Sequence, residues 1–371
     1  VIIEVIRGLN MGGAETLLFT RLRHAVEHRP PGFERTVVVN TLRQNDHFAS
    51  RLRDLGVEVV ELSSSNPVRG MKELSSVIAA QDSVSTVVFH SPVTTYLEKT
   101  RRASRRSGSD VRLIDVVHST RYRAPYRLMG AMLDRFSDLA IAVGNDVAEA
   151  STARHYRAVS TVLAGVDRVR MRAWIQASPD APSQMRSQLG VPYGHRLVVA
   201  VGSLIPLKGH RHAIEALKAP ELAEVSLALV GAGAERSSLQ DFAGEMGVSS
   251  RVHFVGRVDD AWRWTAIADA LVHPSYFEGL PVAVMEAAAL GTPIVATDVG
   301  GLRQIVDGPS AGRLVEAPDS KLISAALSEV LGTADRTAQA FAGRATGESF
   351  WSIDRFATDF YRALGSAGNR P

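Results

Sequence analysis

In the run SYFEGLPVAVMEAAALGTPIVATDVGG, residues 275–301, two carboxylates, Glu278 and Glu286, flank a helix start inside an otherwise apolar stretch. The preceding ALVHPS reads as a strand and PVAVMEAAAL as a helix, with Pro281 suited to the first helical position, where its missing N–H costs nothing. Eight residues apart, at 1.5 Å rise per residue, the pair can meet one ligand at points roughly 10 Å apart. That spacing suits an extended ligand hydroxylated at both ends. An ionised acid accepts two hydroxyl bonds and holds them more strongly than a neutral group does. Between the acids, the amides around Gly279 and Leu280 lie at the positive end of the helix dipole and offer an anion seat. Hydroxyls, phosphate, hydroxyls: the order describes a nucleotide sugar. The plainer alternative has Glu278 supporting the helix N-terminus and Glu286 facing solvent, as most carboxylates do.

Other residues could join this chemistry. Almost every basic residue is arginine; the lysines are Lys72, Lys99, Lys208, Lys218 and Lys321, so Lys208 in PLKG stands out from a solvated loop residue. Gly12 and Gly13, in GLNMGGAE between the first strand and the first helix, let backbone come close to phosphate oxygens or a sugar, although any tight turn wants such glycines. His118 ends the strand RLIDVVHS, and His90 in FHSP holds a similar place one strand earlier, as a packing or acceptor-side residue. The chain has no cysteine and no D-x-D triplet, so thiolate sites are excluded and the usual carboxylate pair for a divalent cation on a diphosphate is missing; no metal and no cofactor are expected. LVGAGAE imitates a dinucleotide fingerprint but lacks the third glycine and the closing acid, which argues against hydride transfer.

Strand-like and helical runs alternate along the chain. IIEVI, ERTVVVN, VEVVEL, STVVFH, RLIDVVHS and LAIAVG, with helices such as AETLLFTRLRHAVEH and DHFASRLRDL between them, predict a parallel sheet covered on both faces. The pattern lapses across residues 168–195 and restarts with RLVVAVGSL, VSLALVG, VHFVG, ALVHPS, PIVATD and GRLVE. The fold expected is α/β with two doubly wound Rossmann-like domains, residues 1–170 and 186–349, facing each other across a cleft, with a helix at about 350–371 packing back on the first. With 45% hydrophobic and 22% charged residues and a net charge of +3, the composition is that of a soluble enzyme that binds no nucleic acid. No run spans a bilayer and the N-terminus shows no secretory leader, so a cytoplasmic address is expected.

FEGLPVAVMEAAALGTPIVATDVGG resembles the E-x7-E segment of the retaining GT-B glycosyltransferases, the GT4 family in particular. The resemblance extends to MGGAETL, VVHS, VGSLIPLKG and LALVGAGAERSSLQDFAGEMGVSSRVHFVGRV, from about residue 8 to about residue 306. It implies that Glu278 meets hydroxyls of the donor sugar and Glu286 the ribose, that Lys208 holds the diphosphate and neutralises charge on the leaving nucleotide, and that His118 contacts the sugar near the reacting centre. Arg257 and Val258 fall where family backbone reads the nucleobase. Two departures stand out. Ser203 replaces an arginine that helps bind the diphosphate, with Arg211, one helical turn beyond Lys208, as the candidate substitute. Gln304 stands at an often acidic position.

The implied activity is metal-independent transfer of a sugar, with retained configuration, from a nucleotide-diphosphate sugar to an acceptor hydroxyl. UDP-sugar is favoured and GDP-mannose next; the acceptor is a saccharide, a lipid-linked saccharide or a small natural product. A nucleotide-sugar 2-epimerase, or a degenerate nucleotide-sugar-binding protein, is the alternative. Arg101, Arg102, Arg105 and Arg106 in KTRRASRR form a basic helical stripe, normally a solvated face, that would suit peripheral contact with anionic lipid.

Overall fold

The computed structural model describes residues 1–9, 12–41, 47–63, 66–90, 111–119, 128, 132–150, 153–306, 312–332 and 351–366. The chain divides into two compact units, Val1–Gly165 with Ser352–Pro371, and Val166–Trp351.

In the first unit the described strands are β1 (Ile2–Ile6), β2 (Thr36–Asn40), β3 (Glu58–Glu61), β4 (Thr86–Phe89), β5 (Arg112–Val117), β6 (Leu139–Ala142) and β7 (Val159–Thr161), in the order β3-β2-β1-β4-β5-β6-β7 and all parallel. Strand periodicity sends β2 to two cores at once. Val38 packs with Phe19, Leu22 and Phe48 of covering helices on one face, Val37 and Val39 with Leu74 and Phe89 on the other. The sheet changes direction between β1 and β4, so the loops after those strands leave side by side. The three-residue β7 was not among the strand-like runs, because VST is too short for periodicity to register.

The second unit repeats the plan with β8 (Arg196–Val201), β9 (Val225–Val230), β10 (Val252–Gly256), β11 (Ala270–His273), β12 (Ile294–Thr297) and β13 (Gly312–Val315), ordered β10-β9-β8-β11-β12-β13. Here the switch point lies between β8 and β11, which pair in parallel. The Pro-rich stretch before β8 packs on this unit: Arg170 makes a two-pronged bond to Asp260 at 2.6 and 2.8 Å, and Trp174 meets Trp262 edge-on at 5.4 Å. Asp167 starts the helix Arg168–Ala177 by accepting the Arg170 amide at 3.0 Å.

The C-terminal helix Ile353–Ser366 buries Phe356, Phe360 and Tyr361 against the first unit. Its apolar face covers a charged pair: Glu4, in the middle of β1, and Arg21 are both essentially inaccessible and bonded to each other. Arg21 lies over the Phe360 ring at 3.8 Å and donates to Tyr361 Oη at 2.6 Å. Tyr361→Phe strands a buried guanidinium donor, so it should cost about 1–3 kcal/mol, read as a lower urea midpoint for the first unit. An unchanged midpoint would mean that the Glu4 pair and ring stacking hold Arg21 without the hydroxyl.

Candidate functional site

At the second switch point two loops converge. The loop after β8 carries Ser203 and Lys208, and the loop after β11 carries Ser275 and Glu278. Their backbones touch at Gly209, which has φ +62°, and a Cβ there would stand 2.1 Å from the Pro274 carbonyl oxygen, so only glycine permits the approach. Gly300, at φ +56°, likewise lets the loop after β12 press on the Glu278 carbonyl. Across this junction Lys208 Nζ donates to Glu278 Oε1 at 2.6 Å, and His273 Nε2 donates to the same oxygen at 2.7 Å. Burial works to raise the Glu278 pKa, but the hydrogen bond and charge of His273, with those of Lys208, hold it down at about 2. Glu278 is therefore an ionised, acceptor-only group.

Glu286 lies on the helix Val282–Leu290 with its carboxyl buried. Burial first, and the charge of Asp260 second, push it up to about 8. Asp260 sits in the loop after β10, which follows Arg257 and Val258; Arg257 is exposed and Val258 half-buried. The second acid thus differs from the first: one is paired and charged, the other desolvated and protonated at neutral pH. Pro281 is the residue just before the helix, in extended conformation, and Val282 is the first helical position, a one-residue correction to the expected start. The Gly279 carbonyl accepts from Gly301 at 2.8 Å, and Leu280 is buried.

In the first unit His118, His90 and Glu4 form a chain. His90 Nε2 lies 2.9 Å from Glu4 Oε2, and His90 Nδ1 lies 3.3 Å from His118 Nε2. Burial, with the Arg21 charge, depresses the His90 pKa against the pull of Glu4, so His90 is neutral. Because a carboxylate only accepts, His90 carries its proton on Nε2 and accepts at Nδ1 from His118. Burial, then the charges of His90 and Arg21, push His118 down to about 3, a neutral ring. Glu15 folds back over Gly12, where its Oε2 would stand 2.3 Å from a Cβ. Burial raises the pKa of this carboxyl, against a backbone hydrogen bond that lowers it.

The guanidinium of Arg211, the candidate substitute for the arginine missing at Ser203, stacks on the Phe242 ring at 3.8 Å. The Ser203 carbonyl accepts from His210 Nε2 at 3.2 Å, and His210, pushed down to about 4 mainly by burial, is neutral. Gln304 Nε2 is buried without a hydrogen-bond partner. The basic stripe Arg101, Arg102, Arg105 and Arg106 lies outside the described residues. Sequence reasoning missed Glu4, His210 and His273. An acid inside the apolar run IIEVI was the available signal for the first; His273 ends the apolar strand ALVH, where periodicity gives it no signal. Among the described residues, no group of three or more His, Asp or Glu could hold a metal ion, and no helix is long and apolar enough to cross a membrane.

Two Rossmann-like sheets of this order, the second carrying a lysine and an acid pair on its carboxyl edge, have the GT-B glycosyltransferase architecture. Residues 183–345 match the family Glycosyl transferases group 1. The chain is 28% identical over 327 residues to the GDP-mannose-dependent alpha-(1-6)-phosphatidylinositol monomannoside mannosyltransferase of Mycolicibacterium smegmatis, covering 83% of this chain and 76% of that one. It is 33% identical over 178 residues to a D-inositol 3-phosphate glycosyltransferase of Thermobispora bispora, covering 44% of this chain and 42% of that enzyme; the alignment thus spans less than half of that relative. The crystal structure of Anabaena Alr3699/HepE in complex with UDP-glucose shares the fold, with a TM-score of 0.79 at 21% identity over 98% of this chain and 99% of that one.

Proposed function

We propose that this protein is a retaining glycosyltransferase that moves a sugar from a nucleoside-diphosphate sugar to an acceptor hydroxyl without a divalent metal. The observation that carries the reading is the Lys208–Glu278 contact at 2.6 Å, with Glu286 on the adjoining helix. It supplies a cation for a diphosphate and an ionised acceptor for sugar hydroxyls. A carboxyl for the ribose sits one helical segment on. In this reaction the acceptor oxygen bonds to the anomeric carbon on the face the diphosphate leaves. The carbon–oxygen bond to phosphate breaks, and the hydroxyl proton passes to the departing phosphate oxygen. Lys208 stabilises the charge that develops there, and His118, as a neutral ring, is the candidate sugar contact from the first unit. Gly12 and Gly13 would let backbone approach the sugar, and Gly279, Leu280, Ser203, Arg257 and Val258 complete the proposed donor side.

The relatives' names support the class of donor: the mycobacterial enzyme is named for GDP-mannose, and the Anabaena structure holds UDP-glucose. A thermal-shift panel of UDP-, GDP-, ADP- and dTDP-sugars, followed by assay of nucleoside-diphosphate release, tests the reading. One nucleotide series should raise the melting temperature and its sugar should turn over. Product analysis on the donor alone separates the transferase from a 2-epimerase. Stabilisation without turnover, given a broad acceptor panel, would favour a nucleotide-sugar-binding protein.

A further inference from the structure

The two oxygens of Glu278 are not equivalent. Oε1 accepts from both Lys208 and His273, at 2.6 and 2.7 Å, whereas Oε2 takes no hydrogen bond from the described residues and is not among the fully buried unpartnered atoms. His273 is the last residue of β11 and is 4% exposed, so its ring is carried by the sheet itself. Ser275 Oγ lies 3.2 Å from the same Nε2. With a carboxylate at 2.7 Å, the proton of His273 belongs on Nε2, and its direction toward Glu278 is set by the strand.

We propose that His273 is a positioning residue: it saturates Oε1 of Glu278 from the protein side, so that Oε2 alone is presented to the donor and reads a sugar hydroxyl. The inference rests on the nucleotide-sugar reading given above. Lys208 by itself cannot do this work. Its ammonium sits on a flexible four-carbon stem and has a competing anion in the diphosphate, whereas an imidazole at a strand end has neither freedom. Terminal carboxylate torsions are broad, so without His273 the carboxylate would turn and offer the sugar an unfixed oxygen. An ionised carboxylate can only accept. The group it recognises must therefore donate, which selects a hydroxyl over an ether or a deoxy position.

The test is calorimetric titration of the full chain, as wild type and as His273→Ala, His273→Asn and His273→Gln, with two probe pairs: UDP-glucose against UDP, and GDP-mannose against GDP. For the pair the wild type binds, the ratio of nucleotide-sugar Kd to nucleoside-diphosphate Kd should rise about tenfold in His273→Ala. Affinity for the bare diphosphate should change by less than about threefold, which a merely structural role would not allow. His273→Asn, too short to reach the carboxylate, should behave as the alanine variant and provides the reading if that one does not fold. His273→Gln, whose amide reaches about as far as Nε2, should bring the ratio back to within about threefold of wild type. An unchanged ratio, or an equal loss for both members of the pair, overturns the positioning role and leaves the donor reading intact. A wild type that binds neither of these pairs nor any member of the UDP-, GDP-, ADP- and dTDP-sugar panel overturns the donor reading, and this inference with it.

Discussion

Lys208→Met should slow nucleoside-diphosphate release by about 10²–10³-fold, the size typical of removing one group that stabilises developing charge, while weakening donor binding far less. Methionine keeps the aliphatic stem, whose Cδ and Cε lie beside Gly202, each 3.9 Å from where a Cβ would stand, so packing is spared and the ammonium alone is lost. Of the two described residues nearest in sequence to that role, Ser203 is neutral and Arg211 is stacked on Phe242. The same change removes a donor from Glu278. A carboxyl held down at about 2 contributes stability that is present above its unfolded pKa of 4.5 and is lost as pH falls toward 2. The variant should therefore show a shallower acid-side loss of melting temperature between pH 4.5 and 2. Turnover at the wild-type rate would remove Lys208 from the chemistry, whatever its effect on binding.

Glu286→Gln should make the ligand-free protein more stable at pH 8 and yet a poorer binder of the nucleotide. Glu286 is raised from 4.5 to about 8 by burial and by Asp260. Between those values the folded state holds a proton that the unfolded state has released, so stability is full below pH 4.5 and falls as pH rises through 8. A shift of this size corresponds to a change on the order of 3–5 kcal/mol across the window. Glutamine, neutral at every pH, abolishes that slope. Melting temperatures from pH 5 to 8.5 check it: the wild type should decline and the variant stay nearly level relative to it. A ribose hydroxyl bonds a carboxylate more strongly than a neutral acid. Nucleotide binding at pH 7 should therefore release protons in wild type but not in Glu286→Gln, with an affinity loss of about 10–100-fold in the variant. Parallel pH profiles for the two proteins would refute the raised pKa.

The arrangement gives the two acids different tasks through environment alone. Glu278 is surrounded by donors and stays charged; Glu286, eight residues later, is surrounded by helix and a like charge and stays protonated. The first unit holds an analogous contrast, with Glu4 kept ionised by Arg21 and His90 while His118, at the end of the chain, is left neutral.

By itself the sequence determined the alternation of strands and helices, the restart of the pattern at RLVVAVGSL, and the amphipathic final helix, because periodicity and turn residues act over a few residues and are written locally. It also singled out Lys208, Glu278 and Glu286 by residue type and spacing. Only the tertiary structure decided which side chains share a hydrogen bond. Lys208 and Glu278, 70 positions apart, meet because β8 and β11 are neighbours at the point where the sheet reverses. Arg21 and Tyr361 meet across 340 positions because the last helix packs on the first unit. His273 and Glu4 stand in apolar strand runs, and both are buried. Their chemistry comes from burial beside one particular partner, and a one-dimensional pattern carries no record of partners chosen by sheet order and desolvation.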